Sequence, residues 1–117
     1  MTIYRLMDMK GRAVMSDRKP WILAIDLDGI LAKPISSDKY EVAIPISENI
    51  EKVNKLFDLG HRIMIYTARG WFLYDLTEKW LKKNNVKYTQ LVMGKLYCHA
   101  NVDDMNYTLE EITEKLK

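Results

Sequence analysis

The sequence contains little of what several specialised protein classes require. Among its 117 residues there is one cysteine, Cys98, so no disulfide can form within the chain, and we expect a cytoplasmic location. No apolar stretch approaches the roughly 20 residues of a membrane span, and the N-terminus lacks the apolar core of a signal peptide. Since the formal net charge is only +2, composition does not indicate a nucleic acid or membrane partner.

What remains is the composition of an ordinary globular domain. The hydrophobic fraction is 48% and the charged fraction is 29%. We expect one domain over residues 21–117 and a poorly defined N-terminal extension over residues 1–20. Within this extension residues 3–7 could form a short strand, and Gly11 could turn the chain.

Apolar runs and helical spacings alternate along the rest of the chain. Strands are predicted at residues 22–27, 62–66, 86–93 and 100–102, and helices at residues 47–60, from Gly70 to about Asn84, and from Thr108 to about Leu116. Ser47 is the expected N-cap of the first helix, and Thr108 with Glu111 forms a capping box for the last. Residues 33–45 are expected to be a loop. The alternation predicts an α/β fold with a mainly parallel sheet.

Polar residues follow each predicted strand at its carboxyl end. They are Asp26 with Asp28, Thr67, Lys95, and Asp103 with Asp104. Because the carboxyl ends of parallel strands meet at one edge of a sheet, these residues are expected to converge. Any one of them has an ordinary explanation, such as a turn or a solvated charge. Two acids as close as Asp26 and Asp28 repel each other, however, unless a cation or a shared proton relieves them.

In this order the residues resemble the motifs of the haloacid dehalogenase superfamily, whose members are mostly phosphatases with an aspartate nucleophile. The resemblance covers about residues 21–105. It rests on Asp26-Leu27-Asp28-Gly29, on the apolar strand closed by Thr67, on Lys95, and on Asp103-Asp104. The resemblance implies a three-layer, Rossmann-like α/β fold with helices on both faces of the sheet.

The resemblance also implies a role for each of these residues. Asp26 would attack phosphorus and form an aspartyl-phosphate, and Asp28 would act as general acid and then as general base. Thr67 would donate hydrogen bonds to the phosphoryl oxygens, and Lys95 would offset the negative charge. Lys95 is the best-placed match for the third motif because Gly94-Lys95 directly follows an apolar strand.

A magnesium ion and a substrate site follow from the same resemblance. Mg²⁺ suits an all-oxygen site. Its ligands would be Asp26, the backbone carbonyl of Asp28, Asp104 directly and Asp103 through water. Contacts to a small phosphorylated substrate are expected from Gly29, Ala68 and Arg69.

The spacing between motifs leaves no room for a folded cap domain. We therefore expect an open, capless site, with residues 33–45 as a local flap. Large substrates or a neighbouring subunit of a homo-oligomer could cover such a site. A sugar phosphate or a precursor of surface polysaccharide is one expected substrate class. A polynucleotide or nucleotide phosphatase is the alternative, although no aromatic stacking platform is evident.

Two readings outside phosphatase chemistry stay open. A phospho-accepting receiver module also combines acids, a threonine and a lysine around Mg²⁺, but its acidic pair would not come last. The second alternative is a non-catalytic binding protein. It is less well supported, because such a protein would not need a matching residue at every catalytic position.

Several neighbouring residues could have either a structural or a functional role. Arg69 and Trp71 could contact substrate or be structural, while Phe72 is expected to pack on the sheet. With one cysteine and two histidines, a closed zinc site at Cys98 and His99 would need carboxylates to complete it, and we expect neither zinc nor thiol chemistry there. His61 is expected to be a helix-end residue.

Overall fold

The computed structural model describes residues 4–7, 13–16, 19–96, 100 and 104–117, and for the first two segments it describes the backbone only. The strands are β1 (Tyr4–Met7), β2 (Ala13–Ser16), β3 (Ile22–Ile25), β4 (Arg62–Tyr66) and β5 (Gln90–Val92), and the helices are α1 (Ser47–Asp58), α2 (Tyr74–Lys83) and α3 (Leu109–Leu116). Over these residues, no helix combines the length and apolarity that crossing a bilayer requires.

The central feature is a three-stranded parallel sheet in the order β3-β4-β5. Ile25 pairs with Ile65, and Tyr66 pairs with Val92, so the three strands end close to one another at a single edge. Helices surround this sheet, which confirms the α/β class. The predicted strand over residues 100–102 falls on a segment of which only Ala100 is among the described residues.

The N-terminal segment contains more structure than the sequence predicts. β1 pairs with β2 in an antiparallel, two-stranded sheet that is separate from the central one. β1 matches the short strand expected over residues 3–7, whereas β2 was not predicted. Gly11, the expected turn residue, lies outside the described residues.

The core forms where the apolar faces of the helices meet the sheet. Leu23 and Ile25 of β3 are buried, and the intervening Ala24 is exposed. The face of β3 that carries Ala24 is therefore not covered by the described residues, and the three-layer arrangement implied by the resemblance stays a prediction. The helices contribute the buried side chains of Ile50, Val53, Leu56, Trp80, Leu81, Ile112 and Leu116.

Element boundaries depart from prediction where backbone geometry outweighs the apolar pattern. Helix α1 begins at Ser47 itself, with Ile46 as N-cap and no side-chain hydrogen bond, so the predicted Ser47 cap is wrong. Strand β5 is shorter than the predicted 86–93. Asn85 at φ 57° turns the chain out of α2, and the Val86 amide still donates to the Leu81 carbonyl, so the strand begins only at Gln90.

Two segments contain 3-10 turns that the sequence did not predict. Ser37–Val42 forms one within the expected loop over residues 33–45. Trp71–Leu73 forms another directly before α2. Trp80 of α2 ties the first of these segments down, because its indole N–H donates to the Ala43 carbonyl at 2.9 Å.

Helix α3 begins with the predicted capping box, which the structure confirms. The Thr108 hydroxyl accepts from the Glu111 amide at 3.1 Å, and the Glu111 carboxylate accepts from the Thr108 amide at 3.0 Å. The Thr108 amide, by donating to the carboxylate, holds the pKa of Glu111 below its ordinary value of 4.5. A group whose pKa is lower in the folded state stabilises that state above its unfolded pKa, and this contribution is lost as pH falls through the folded pKa.

We expect Thr108→Ala to lower the free energy of unfolding at neutral pH by about 1 kcal/mol, because an amide of the first helical turn loses its acceptor. The difference from the wild type should shrink in part as the pH falls through the pKa of Glu111, because the Thr108 side chain also lowers this pKa, whereas the variant keeps the amide that lowers it most. Urea denaturation at a series of pH values measures both effects. Glu110→Gln is the control for a change in the same helical turn that leaves the capping box in place. If Thr108→Ala were as stable as the wild type at neutral pH, the hydroxyl would have no capping role.

Candidate functional site

The first acidic pair lies in a tight loop that directly follows β3. The Leu27 carbonyl accepts hydrogen bonds from the amides of Ile30, Leu31 and Ala32, at 2.8 to 3.2 Å. Leu27 and Leu31 are fully buried. Gly29, between them, has φ +92°, a left-handed conformation that favours glycine. Apolar side chains thus fix this loop to the core and leave Asp26 and Asp28 at the edge of the sheet.

Thr67 closes β4 and is held by backbone bonds on both sides. Its amide donates to the Val92 carbonyl at 3.0 Å, and its carbonyl accepts from the Lys95 amide at 2.9 Å. The Thr67 hydroxyl oxygen accepts from the Arg69 amide at 3.2 Å, which leaves the hydroxyl proton to donate elsewhere. Ala68, between them, is exposed. The end of β4 is therefore tied directly to the loop that carries Lys95.

Lys95 reaches back across the sheet edge to the first motif. Its Nζ lies 3.5 Å from Oδ1 of Asp26 and 5.3 Å from the centre of the Tyr66 ring. The preceding Gly94 has φ +77°, and a Cβ there would lie 3.0 Å from Nε1 of Trp71. The structure thus brings the sequence-predicted residues Asp26, Asp28, Thr67 and Lys95 to one edge of the sheet.

Arg69 supplies the second cation of the site, and it pairs with Asp28. Its Nε donates to Oδ2 of Asp28 at 3.0 Å, and its Nη2 donates to Oδ1 at 2.7 Å. The Arg69 side chain is 0% exposed, whereas that of Asp28 is 28% exposed. The two neighbouring carboxylates therefore have different partners, Lys95 for Asp26 and Arg69 for Asp28.

Two further residues hold the Arg69 guanidinium, and sequence reasoning missed both. Nη1 donates to the hydroxyl of Thr77 at 3.1 Å, and the guanidinium carbon lies 3.7 Å above the Tyr40 ring. The burial of Thr77 could have been inferred from the sequence, because Thr77 lies three and four residues before Trp80 and Leu81 on the buried face of α2. A buried hydroxyl on that face predicts a polar partner. Tyr40, in a stretch read as loop, had no such signal.

The position of Arg69 differs from the exposed one that a substrate contact would suggest. Buried and bonded to Asp28, it does not face solvent in the structure. Its contact with substrate, like the contacts expected of Gly29 and Ala68, stays a prediction. Both Gly29 and Ala68 are exposed at the site.

The predicted magnesium ligands are brought together only in part. Among the residues that the structure describes, no group of three or more histidine, cysteine or acidic side chains could hold a metal ion. Asp104 is exposed in a turn, and Asp103 lies outside the described residues. Asp26 offers an accessible carboxylate, with 45% of its side chain exposed, and such an oxygen suits Mg²⁺. The full ligand set stays a prediction.

The residues after Thr67 present aromatic rings to solvent. Phe72 is 89% exposed and Trp71 is 61% exposed, so the expectation that Phe72 packs on the sheet is wrong. The 3-10 turn before α2 explains this, because it directs these two residues away from the buried face that begins further along the helix. Trp71 stacks on Tyr74 at 6.1 Å between ring centres.

His61 lies away from the described site. His61 is buried after α1, where its Nδ1 accepts from the Trp21 amide at 3.0 Å. Its role is structural support where β3 begins. Cys98 and His99 lie outside the described residues.

Comparison with known proteins relates the fold to two solved structures. The chain is similar to a target protein from Vibrio cholerae, with a TM-score of 0.68, 28% identity, and coverage of 82% of this chain and 93% of that one. It also resembles a chain of the Pnkp1/Rnl/Hen1 complex, with a TM-score of 0.57 and 20% identity over 73% of this chain and 32% of that one. The second likeness concerns the fold alone. No protein-family model and no curated protein matches the chain.

We expect Thr77→Val to lower the free energy of unfolding by about 1–3 kcal/mol, because it leaves a buried Arg69 N–H without its acceptor while preserving side-chain shape. Urea denaturation provides the measurement. Thr113→Val is the control, since Thr113 lies at a partly buried position of α3 and its hydroxyl donates to a carbonyl within the same helix. If both variants lost the same small amount, the bond between Thr77 and Arg69 would contribute nothing.

Proposed function

We propose that the protein is a capless, three-layer member of the haloacid dehalogenase superfamily. In this proposal it is a Mg²⁺-dependent phosphatase that hydrolyses a phosphate monoester through an aspartyl-phosphate. The observation that carries the proposal is the contact between Lys95 and Asp26 at the shared end of the parallel strands. It gives one accessible carboxylate a neighbouring cation at the place where α/β sheets bind ligands.

The proposed reaction has two steps at the same carboxylate. In the first, an oxygen of Asp26 bonds to phosphorus, the ester P–O bond breaks, and the alcohol leaves with a proton from Asp28. In the second, water attacks the same phosphorus, Asp28 takes its proton, and inorganic phosphate leaves Asp26 free. Thr67 would hold the phosphoryl oxygens, and Lys95 would offset their charge throughout.

Magnesium would complete the charge balance of this site. Asp26, the Asp28 carbonyl and Asp104 would bind the ion, with Asp103 acting through water, and all of these donors are hard oxygens. When bound, the ion would supply positive charge that lets a phosphate dianion approach the carboxylates. The Arg69–Asp28 pair supports this division of roles, because it holds the Asp28 carboxylate in place for proton transfer, while that residue's backbone carbonyl is the proposed ligand.

We expect Asp26→Asn to abolish Mg²⁺-dependent release of phosphate from an aryl phosphate while leaving the fold intact, because an amide cannot act as the nucleophile. Phosphate release is measured for the wild type and the variant with and without Mg²⁺, and circular dichroism checks that the variant is folded. Asp58→Asn is the matched control. Asp58 ends α1 before β4 begins, and its exposed pair with Lys87 lies away from the strand ends.

Three outcomes would distinguish the competing functions. Steady turnover in the wild type and its loss in Asp26→Asn support the phosphatase. A single, stable phosphorylation without turnover indicates a receiver module. Activity in Asp26→Asn above a few per cent of the wild type removes Asp26 as nucleophile.

Sugar phosphates or precursors of surface polysaccharide are the first substrate class that we propose. A polynucleotide or nucleotide phosphatase is the second, and exposed Trp71 and Phe72 favour it. The Trp71 ring lies beside Gly94, where a Cβ would be 3.0 Å from its Nε1, and Gly94 directly precedes Lys95. Stacking of a base on an aromatic ring is worth about 1–3 kcal/mol.

If a nucleic acid end is the substrate, we expect Trp71→Ala to raise KM for a phosphorylated oligonucleotide about tenfold or more, because a stacking contact is lost. KM for a sugar phosphate should change little in the same variant. Steady-state kinetics on the two substrates give the comparison, with Phe57→Ala, a partly buried aromatic of α1, as the control for a general loss of stability. Equal effects on both substrates would argue against base stacking.

A further inference from the structure

Arg69 is more completely enclosed than any other charged side chain of the described site. It makes three hydrogen bonds, two to Asp28 and one to Thr77, and its side chain has no solvent exposure. Two parallel N–H···O bonds from a planar guanidinium fix both the position and the plane of a carboxylate. The Asp28 carboxylate is therefore held in a single orientation while part of it stays exposed.

The Tyr40 ring closes the remaining face of this guanidinium. The ring centre lies 3.7 Å from the central carbon of Arg69. Tyr40 belongs to the 3-10 turn Ser37–Val42, which α2 anchors through the bond from Trp80 to the Ala43 carbonyl. The Tyr40 ring of this segment thus covers Arg69, and through Arg69 the segment is linked to Asp28.

Stability alone is a weak explanation for such an arrangement. Burying a guanidinium carries a large desolvation cost, which a single ion pair often only offsets. The geometry, in contrast, leaves Asp28 able to react. Each carboxylate oxygen has a second lone pair after accepting one bond from Arg69, and the side chain is 28% exposed.

We propose that Arg69 is a positioning residue that aims the Asp28 carboxylate at the leaving-group oxygen, and that Tyr40 keeps Arg69 in place. The inference rests on the proposed phosphatase function and deepens it. It assigns Arg69 an action through Asp28 instead of a contact with substrate. Lysine cannot replace it, because an ammonium group lacks the planar pair of donors.

A comparison of leaving groups tests this assignment. Nitrophenolate is a stable anion that leaves without a proton, whereas an alkoxide needs one from Asp28. Because a positioned general acid contributes about 10²–10⁴-fold, Arg69→Lys and Tyr40→Leu should lower kcat/KM for an alkyl phosphate at least roughly tenfold more than for nitrophenyl phosphate. Tyr40→Phe, which retains the ring, should restore the wild-type ratio.

A double variant separates positioning from other roles. In an Asp28→Asn background, Arg69→Lys should change the ratio of the two kcat/KM values no further, since residues that act as one unit are not additive. Equal losses on both substrates in Arg69→Lys would overturn the proposal and indicate a structural or substrate-binding role. Asp58→Asn serves again as the unchanged reference.

The same kinetic data distinguish failure of the positioning role from failure of the proposed function. If the wild type hydrolysed neither substrate, the phosphatase proposal and this inference would both be overturned. If the wild type turned over both substrates and Arg69→Lys left their ratio unchanged, only the positioning role of Arg69 would be overturned.

Discussion

Mutual repulsion between Asp26 and Asp28 is the constraint around which the site is arranged. One residue separates the two carboxylates, at the end of a strand whose parallel neighbours end at the same edge. The fold gives each carboxylate a separate cation. Lys95 comes from the loop after β5, and Arg69 comes from the loop after β4. The parallel register is what makes this possible, because it brings three loops distant in sequence to one place.

The two ion pairs differ in environment, and this difference suits the separate roles that we propose for the two acids. Arg69 is fully buried, so water screens its pair with Asp28 little. The pair of Lys95 with Asp26 is longer, at 3.5 Å, and both side chains are partly exposed. Such a contact is weak and easily exchanged. Asp28 is therefore fixed, whereas Asp26 and Lys95 can rearrange around an incoming anion.

The sequence predicted the parts of this arrangement that depend on local pattern. The apolar run before Tyr66 is the strand Arg62–Tyr66, and Thr108 with Glu111 caps the last helix. Boundaries were missed where the backbone overrode the pattern, as at Asn85, whose positive φ delays the strand that follows. Exposed Phe72 shows the limit of hydrophobicity as a guide to burial, because the 3-10 turn decides where that residue points.

The partners of Arg69 could not be read from the sequence for a different reason. They depend on three separate segments, namely the loop after β3, the 3-10 turn that carries Tyr40, and the middle of α2. Residue spacing indicates which side chains share one element, but it does not indicate which elements approach each other. Only the buried hydroxyl of Thr77 signals a polar contact, and it does not say with what.

Anchoring of the site loops to the core connects stability to the proposed chemistry. The Asp26–Asp28 loop is fixed by buried Leu27 and Leu31, and α1 adds a bond from the Asn49 side chain to the Ile30 carbonyl at 2.8 Å. Groups held by packing in this way need no reorganisation when charge develops in a reaction, which is the main source of electrostatic catalysis. The Tyr40 segment differs, because its 3-10 turn contains no buried residue. It is held instead by the Trp80 bond to the Ala43 carbonyl and by the contact of the Tyr40 ring with Arg69, so any effect of this segment on Asp28 passes through Arg69.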